Sequence, residues 1–258
     1  MLHAVLLCMD SGLYAAYTGL LARTQALETA ANNLANSNTN GFRAQQDYFR
    51  GVLAAYTPDA PAEGVSSAVN QFSMLGGSRL SLAQGQITTT GNPLDIALNG
   101  SGFFQVKTAH GVQLTRDGAF LRGPDGTLTT QQGEPVLDAS GAPIVLPTGA
   151  VHVGANGDIS VSTPDGASAI AGRLGVVNYQ ADDLAAAGAN RFTVRDGAKA
   201  TQATAEIREG ALEGSNEDAV QGTMQLMLIQ RQAEMMQKAL NVFHNDFDKT
   251  AAEDLGKV

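Results

Sequence analysis

The chain has 258 residues, enough for one or two domains with a substantial core, and 43% of them are apolar, an ordinary share for a globular protein. Its net charge of −9, without clustered Lys and Arg, argues against a nucleic-acid surface, which needs cations to meet phosphate. Cys8 is the only cysteine, so an internal disulfide is excluded, and no apolar run approaches the roughly 20 residues of a membrane span.

Residues 1–8 read as an upstream extension. Ala4 to Cys8 is apolar but short, with no basic start and no small-residue cleavage site, which makes a poor signal peptide. Met9-Asp10-Ser11-Gly12-Leu13 reads as the natural start. A helix is expected from about Asp10 to Asn36, capped by Asp10 or Ser11, and at 1.5 Å per residue it is roughly 40 Å long. Leu13, Tyr17, Leu20, Thr24, Leu27, Ala31 and Leu34 alternate by four and three, a heptad seam with Thr24 its polar member. The helix runs into Asn, Ser, Thr and Gly, residues that bond their own backbone or accept left-handed geometry, so 36–41 is a bend and 9–42 one segment.

Residues 43–79 form an arm or linker. Tyr48, Phe49, Val52 and Leu53 keep some periodicity, as a short helix or an extended arm, and Pro and Gly punctuate the rest. Residues 80–197 change to short β runs. Leu94, Ile96 and Leu98 alternate onto one face, and Phe103–Lys107 and Val112–Arg116 follow around His110-Gly111. Asp117-Gly118, Asp125-Gly126, Ser140-Gly141, Asn156-Gly157 and Asp165-Gly166 are hairpin-type turns, and short strands so spaced mean an antiparallel β domain. Asp182 to Ala187 suits one helical turn. Residues 198–214 read as a polar return linker, and 215–258 as a second long helix capped by Ser215 or Asn216. Leu226, Ile229, Ala233, Met236, Leu240, Phe243 and Phe247 repeat the heptad spacing.

The fold class is therefore α+β: N- and C-terminal heptad helices pairing as a coiled coil, with a mainly antiparallel β domain inserted between them. The competing arrangement packs each helix separately on the β domain, as amphipathic helices do.

No catalytic constellation is present. His3, His110, His152 and His244 lie in no metal-ligand spacing, and no Ser sits in a nucleophile elbow. No phosphate loop or dinucleotide fingerprint occurs, so no cofactor or metal is expected. Asp182-Asp183 and Glu217-Asp218 read as a loop and a helix start, and Asn99-Gly100-Ser101 as a β turn rather than a glycosylation site. Met224, Met227, Met235 and Met236 read as helix packing in preference to a plastic binding face. An enzyme acting on peptidoglycan would need paired carboxylates in a cleft, whereas Asp117, Asp125 and Asp158 lie in turns. A secreted adhesin fits neither the missing signal nor the terminal seams.

Four separated stretches carry a resemblance. They are Ala31-Asn32-Asn33-Leu34-Ala35-Asn36 with Thr39-Asn40-Gly41-Phe42; Thr90-Gly91-Asn92-Pro93-Leu94-Asp95 with Gly100-Ser101-Gly102-Phe103-Phe104; Leu114-Thr115-Arg116-Asp117-Gly118-Ala119-Phe120; and Gly210-Ala211-Leu212-Glu213-Gly214-Ser215-Asn216. In this order, and with the start at Met9, they resemble the axial rod and hook proteins of the bacterial flagellar basal body. Asn40-Gly41-Phe42-Arg43-Ala44-Gln45 and Leu212-Glu213-Gly214-Ser215-Asn216 look closest to the proximal, F-type rod members, and the short stretch before Thr90 favours the same assignment; the distal, G-type members come next. The resemblance implies a structural subunit that is not an enzyme. Its helices polymerise with copies of itself and with other rod and hook-basal-body proteins into a torque-transmitting shaft. It implies a place in the basal body, crossing the periplasm, after export by the flagellar type III apparatus without a cleaved signal. Phe49-Arg50-Gly51-Val52-Leu53 resembles the export-recognition pattern of the family, with Phe49 and Leu53 its apolar pair. The resemblance casts Asn32, Asn33, Asn36, Gly41 and Phe42 as the motif and bend. It casts Leu13, Tyr17, Leu20, Leu27, Leu34, Leu226, Ile229, Met236, Leu240 and Phe243 as assembly seams.

Overall fold

A computed structural model describes residues 2–50, 74–162, 168–201 and 203–255, and gives the backbone alone at 2–16, 49–50, 74–75, 243–244 and 246–255. Helix α1 (Leu2–Ala35) and helix α2 (Ala219–Leu255) lie at the ends of the described chain, with antiparallel strands between them. The chain divides into two compact units, one of Met1–Leu34, Gln46–Ser78 and Ala219–Val258, the other of Ala35–Gln45 and Arg79–Asp218.

In the first unit, α1 buries a stripe of small residues, Gly19, Ala22, Ala26, Ala30 and Asn33, spaced by three and four. Such spacing keeps them on one side of a helix of 3.6 residues per turn. On α2, Gly222 is buried and Leu226, Ile229, Ala233, Met236 and Leu240 are half-buried on one side. Strand β1 (Gln45–Arg50) pairs with β2 (Met74–Leu80), so the arm is a two-stranded ribbon where it enters and leaves, and not a helix.

The second unit holds the remaining strands: β3 (Ile87–Thr89), β4 (Ile96–Asn99), β5 (Phe103–Thr108), β6 (Gly111–Thr115), β7 (Leu121–Arg122), β8 (Leu128–Thr129), β9 (Ala150–Val153), β10 (Asp158–Ser162), β11 (Ser168–Arg173), β12 (Val176–Val177), β13 (Leu184–Gly188), β14 (Arg191–Val194), β15 (Glu206–Glu209) and β16 (Ala211–Glu213). A five-stranded sheet runs β12-β5-β6-β14-β13 and a three-stranded one β11-β10-β9. The alternation along β5 explains two cores. Phe104 and Val106 point to the larger, with Ile96, Leu98, Phe120, Leu128 and Ile144, whereas Phe103 points to the smaller, with Leu114, Leu184 and Phe192. Phe104 meets Phe120 edge-on at 5.1 Å between ring centres.

Several expectations differ from the structure. Helix α1 already runs from Leu2, so the helix does not start near Asp10 and neither Asp10 nor Ser11 caps it. The return stretch 198–214 is not a plain linker, because β15 pairs with β4 and β16 with β3. The last helix starts at Ala219 rather than at a cap on Ser215 or Asn216, since the Asn216 amide is engaged elsewhere. On β4 the expected face holds, with Ile96 and Leu98 in the larger core and Leu94 packed against it, and Ala97 on the other side is buried as well. Asp117-Gly118 makes no hairpin, and of the helical turn expected over Asp182 to Ala187 only Asp182 and Asp183 are helical, in the 3-10 helix Ala181–Asp183, while Leu184 to Ala187 belong to β13. The turns at Asp125-Gly126 and Asn156-Gly157 do join antiparallel pairs, β7 to β8 and β9 to β10. Asp165-Gly166 lies outside the described residues.

Candidate functional site

The second unit brings residues from all four motif stretches, Gly41, Gly102, Arg116 and Glu213 among them, to one buried point. β16 alternates so that Ala211 and Glu213 face inward. The Glu213 side chain, fully enclosed, accepts from Arg43 Nη2 at 2.6 Å and from the Gly85 amide at 2.9 Å. Arg116 Nε lies 2.9 Å from the other carboxylate oxygen. That approach is badly aligned, leaving both atoms without a true hydrogen bond, so it is a charge contact. Arg116 instead donates to the carbonyls of Gly102 at 2.9 Å and Gly100 at 2.8 Å, and its guanidinium sits 5.9 Å from the Phe103 ring centre. Burial pulls the Arg116 pKa down to about 10, with Glu213 opposing and Arg43 adding to the fall, and the group stays charged at neutral pH. Two cations thus share one carboxylate in the interior, an arrangement strongly destabilised if the carboxylate is lost.

Around this point the residues that leave α1 meet those that lead into α2. The Gly41 amide donates to the Glu213 carbonyl at 2.7 Å, and the Ala44 amide to Asn216 Oδ1 at 2.7 Å. The Asn216 amide group donates to the Ser81 and Ala83 carbonyls at 2.9 and 3.0 Å. The bend closes on itself through Thr39 N–H to the Asn36 carbonyl and Thr39 Oγ1 to Asn36 Oδ1. Asn190 Nδ2 donates to the Asn40 carbonyl at 2.6 Å. Beside it Arg191 donates to Glu134 at 2.7 Å, to Gln132 at 3.0 Å and to Thr115 Oγ1 at 3.1 Å.

The Thr90-to-Asp95 stretch is a second fastening. Asp95 accepts from Thr90 Oγ1 at 2.7 Å and Asn92 Nδ2 at 3.0 Å, while its carbonyl takes the Gly210 and Ala211 amides. The Thr90 and Gly91 amides donate to the Gly210 carbonyl at 2.7 and 3.1 Å, so Thr90, Gly91 and Asp95 together hold the turn between β15 and β16.

Of the residues named from sequence, Gly41 is buried, Phe42 and Asn36 half-buried, Asn33 buried and Asn32 exposed. Leu20, Leu27, Leu34, Leu226, Ile229, Met236 and Leu240 are half-buried, and Tyr17 is 67% exposed. Leu13, Phe49 and Phe243 have only their backbone described, and Leu53 lies outside the described residues. Met224, Met227 and Met235 are exposed, not packed, and only Met236 is half-buried. His110 and His152 face solvent, the latter 3.5 Å from Glu209. Sequence reasoning quoted Arg43, Arg116 and Glu213 inside motifs without giving them a role, and passed over Arg191. Their signal is a charged residue in phase with inward apolar neighbours, Glu213 after Ala211 and Arg116 after Leu114.

Among the described residues no group of His, Cys, Asp and Glu is arranged to hold a metal ion, and no helix is long and apolar enough to cross a membrane. The chain matches the family model described as flagellar hook protein FlgE/F/G D1 domain over residues 97–161, and that described as flagella basal body rod protein over 13–43. It is 36% identical to the flagellar basal-body rod protein FlgF of Caulobacter vibrioides, over 97% of this chain and 100% of that one. It is 34% identical to FlgF of Rhizobium meliloti, over 96% and 99%. The flagellar basal-body rod protein FlgG of Agrobacterium fabrum is 32% identical, over 87% and 92%. With FlgF relatives 36% and 34% identical along nearly their whole length, the chain belongs to the FlgF family of flagellar basal-body rod proteins.

Proposed function

We propose that the chain polymerises through its terminal helices into the proximal part of the flagellar rod, the drive shaft that transmits torque from motor to hook. It is a structural subunit and performs no chemistry. The observation that carries this reading is the apolar surface both helices keep. On α2, Met224, Met227, Leu228 and Met235 are all more than half exposed, opposite a seam that is itself half-buried, more apolar surface than a monomeric helix displays to water. The two helices pair along Leu13–Leu34 and Leu226–Phe243 as a coiled coil, and neighbouring copies and other rod and hook proteins cover the remainder. The subunit crosses the periplasm within the basal body after type III export, with Phe49 and Leu53 as the recognised pair. The distal rod is the second reading, favoured by the match to FlgG proteins.

The test is Ile229→Asp in the sole chromosomal copy. Purified variant with native strand and helix content, together with basal bodies that lack the subunit and non-motile cells, is the expected result. Basal bodies carrying the variant at the normal level refute the reading. Cryo-electron microscopy of the native basal body separates proximal from distal placement.

A further inference from the structure

We infer that Glu213 is a conditional latch: residues 36–45 dock on the second unit only after β16 has brought this carboxylate into place. The inference goes beyond the rod reading and does not depend on it. The described contacts are one-sided. β16 is held without residues 36–45, by its pairing with β3 and by the Gly214 amide donating to the Gln86 carbonyl at 2.8 Å. Glu213 likewise has partners of its own in the Gly85 amide and Arg116, and Arg116 has the Gly100 and Gly102 carbonyls.

Arg43 has no such independence. Its side chain is 1% exposed, and besides Glu213 at 2.6 Å its described contact is its neighbour Phe42's carbonyl, at 3.5 Å. Without the carboxylate, docking would place a second guanidinium beside Arg116 in the interior, two buried cations with no counter-charge. The backbone contacts of the segment lean the same way. Gly41 donates to the Glu213 carbonyl, Ala44 to the Asn216 side chain, and the Phe42 carbonyl accepts from the Asn216 amide at 3.3 Å. The segment also makes contacts that do not involve Glu213: the Asn40 carbonyl with Asn190, the Ala44 carbonyl with Ser81, Gln45 at the start of the β1–β2 pair, and Gly41 against the Arg116–Asp117 backbone. The order that follows is fixed: strands first, return strand next, and the segment behind α1 last, so that the chain commits its N-terminal part only when the residues before α2 are in place.

Hydrogen exchange on the full chain, read at single amides, tests this. In Glu213→Gln the Gly41 and Ala44 amides should exchange about 100-fold faster, as loss of a buried counter-ion implies, while Gly214 and Lys107 keep their wild-type rates. In the double variant R43M/E213Q the cation that docking would add is gone, leaving Arg116 with its Gly100 and Gly102 carbonyls, and Gly41 and Ala44 should recover by about tenfold or more relative to E213Q alone. Wild-type rates at Gly41 and Ala44 in E213Q overturn the latch, and so does a double variant no better protected than the single. Should E213Q lose protection throughout, the double variant decides: folded with Gly41 and Ala44 protected, it upholds the latch, and equally unprotected, it refutes it.

Discussion

Replacing Gly41 by Ala tests whether close approach at the bend holds the second unit together. Gly41 has φ +66°, a conformation that costs a side chain about 1–2 kcal/mol, less about 0.4–1 kcal/mol recovered from the unfolded chain. Gly91, at φ +79°, carries the same penalty but has open space around an added methyl, so Gly91→Ala should cost about 1 kcal/mol and no more. At Gly41 the methyl would instead fall within the backbone of Arg116 and Asp117, far inside the 3.0 Å that real Cβ atoms keep. Backbone yields less readily than the end of a side chain. Moving 116–117 also disturbs the Arg116 bonds to Gly100 and Gly102 and the Gly41 bond to Glu213. Overpacking of this kind adds about 1–3 kcal/mol, giving about 2–4 kcal/mol in all. Urea unfolding of both variants, followed by a probe of the β unit, measures the difference. Equal losses in the two would refute the close-approach argument and leave only the φ penalty.

Asn216→Ala removes three hydrogen bonds, to Ala44, Ser81 and Ala83, and should cost about 2–3 kcal/mol in the same urea assay. Phe104→Ala empties a fully buried site against Phe120 and should cost about 3–5 kcal/mol, with the urea midpoint as readout. Burial holds the Asp117 carboxyl above the usual carboxylate range, with the Ala119 amide and Arg191 opposing. A raised carboxyl favours folding with its proton on, so its contribution is complete below the unfolded pKa and is lost as pH rises through the folded one. Asp117→Asn should therefore unfold at higher urea than wild type at pH 7, with the gap closing as pH falls into the carboxylate range. On α1, Ala26→Leu overfills the buried stripe and should lower the helix content of the purified chain, whereas Leu27→Gln should cost the fold under about 1 kcal/mol. Circular dichroism of the two variants distinguishes them.

The class of the fold was legible because its signals are local. Period-two apolar runs place β5 and β6, a turn dipeptide places the β9–β10 hairpin, and the helical spacing finds both helices though not where they start. The junction was not legible, because its bonds join residues 170 or more positions apart, Arg43 to Glu213 and Ala44 to Asn216. A polar, Gly-punctuated stretch such as 206–214 has the composition of a linker. It becomes two strands because the partners at Ile87–Thr89 and Ile96–Asn99 supply the hydrogen bonds it needs. Asn216 misled for a related reason. An Asn before a helix is ordinarily its cap, but this one spends its Oδ1 on the Ala44 amide and its Nδ2 on the Ser81 and Ala83 carbonyls. The resemblance reached the motif residues without their geometry.

The two helices show what a heptad pattern can and cannot rank. On α2 the sequence seam and the half-buried side coincide at Leu226, Ile229, Ala233, Met236 and Leu240. On α1 they diverge: at 3.6 residues per turn the buried stripe Gly19-Ala22-Ala26-Ala30-Asn33 lies roughly 130° around the helix from the Leu and Tyr seam. A search weighted by side-chain size finds Leu and Tyr and passes over Ala and Gly, although small residues are what allow another backbone to approach closely. Each helix then has two apolar sides, one the more buried and one with exposed Met, Leu or Tyr. For a monomer the second side is a liability, since exposed Met, Leu and Tyr favour association. For a subunit whose neighbours arrive on both sides it is a requirement: one stripe closes the unit, and the other stays open until a neighbour covers it.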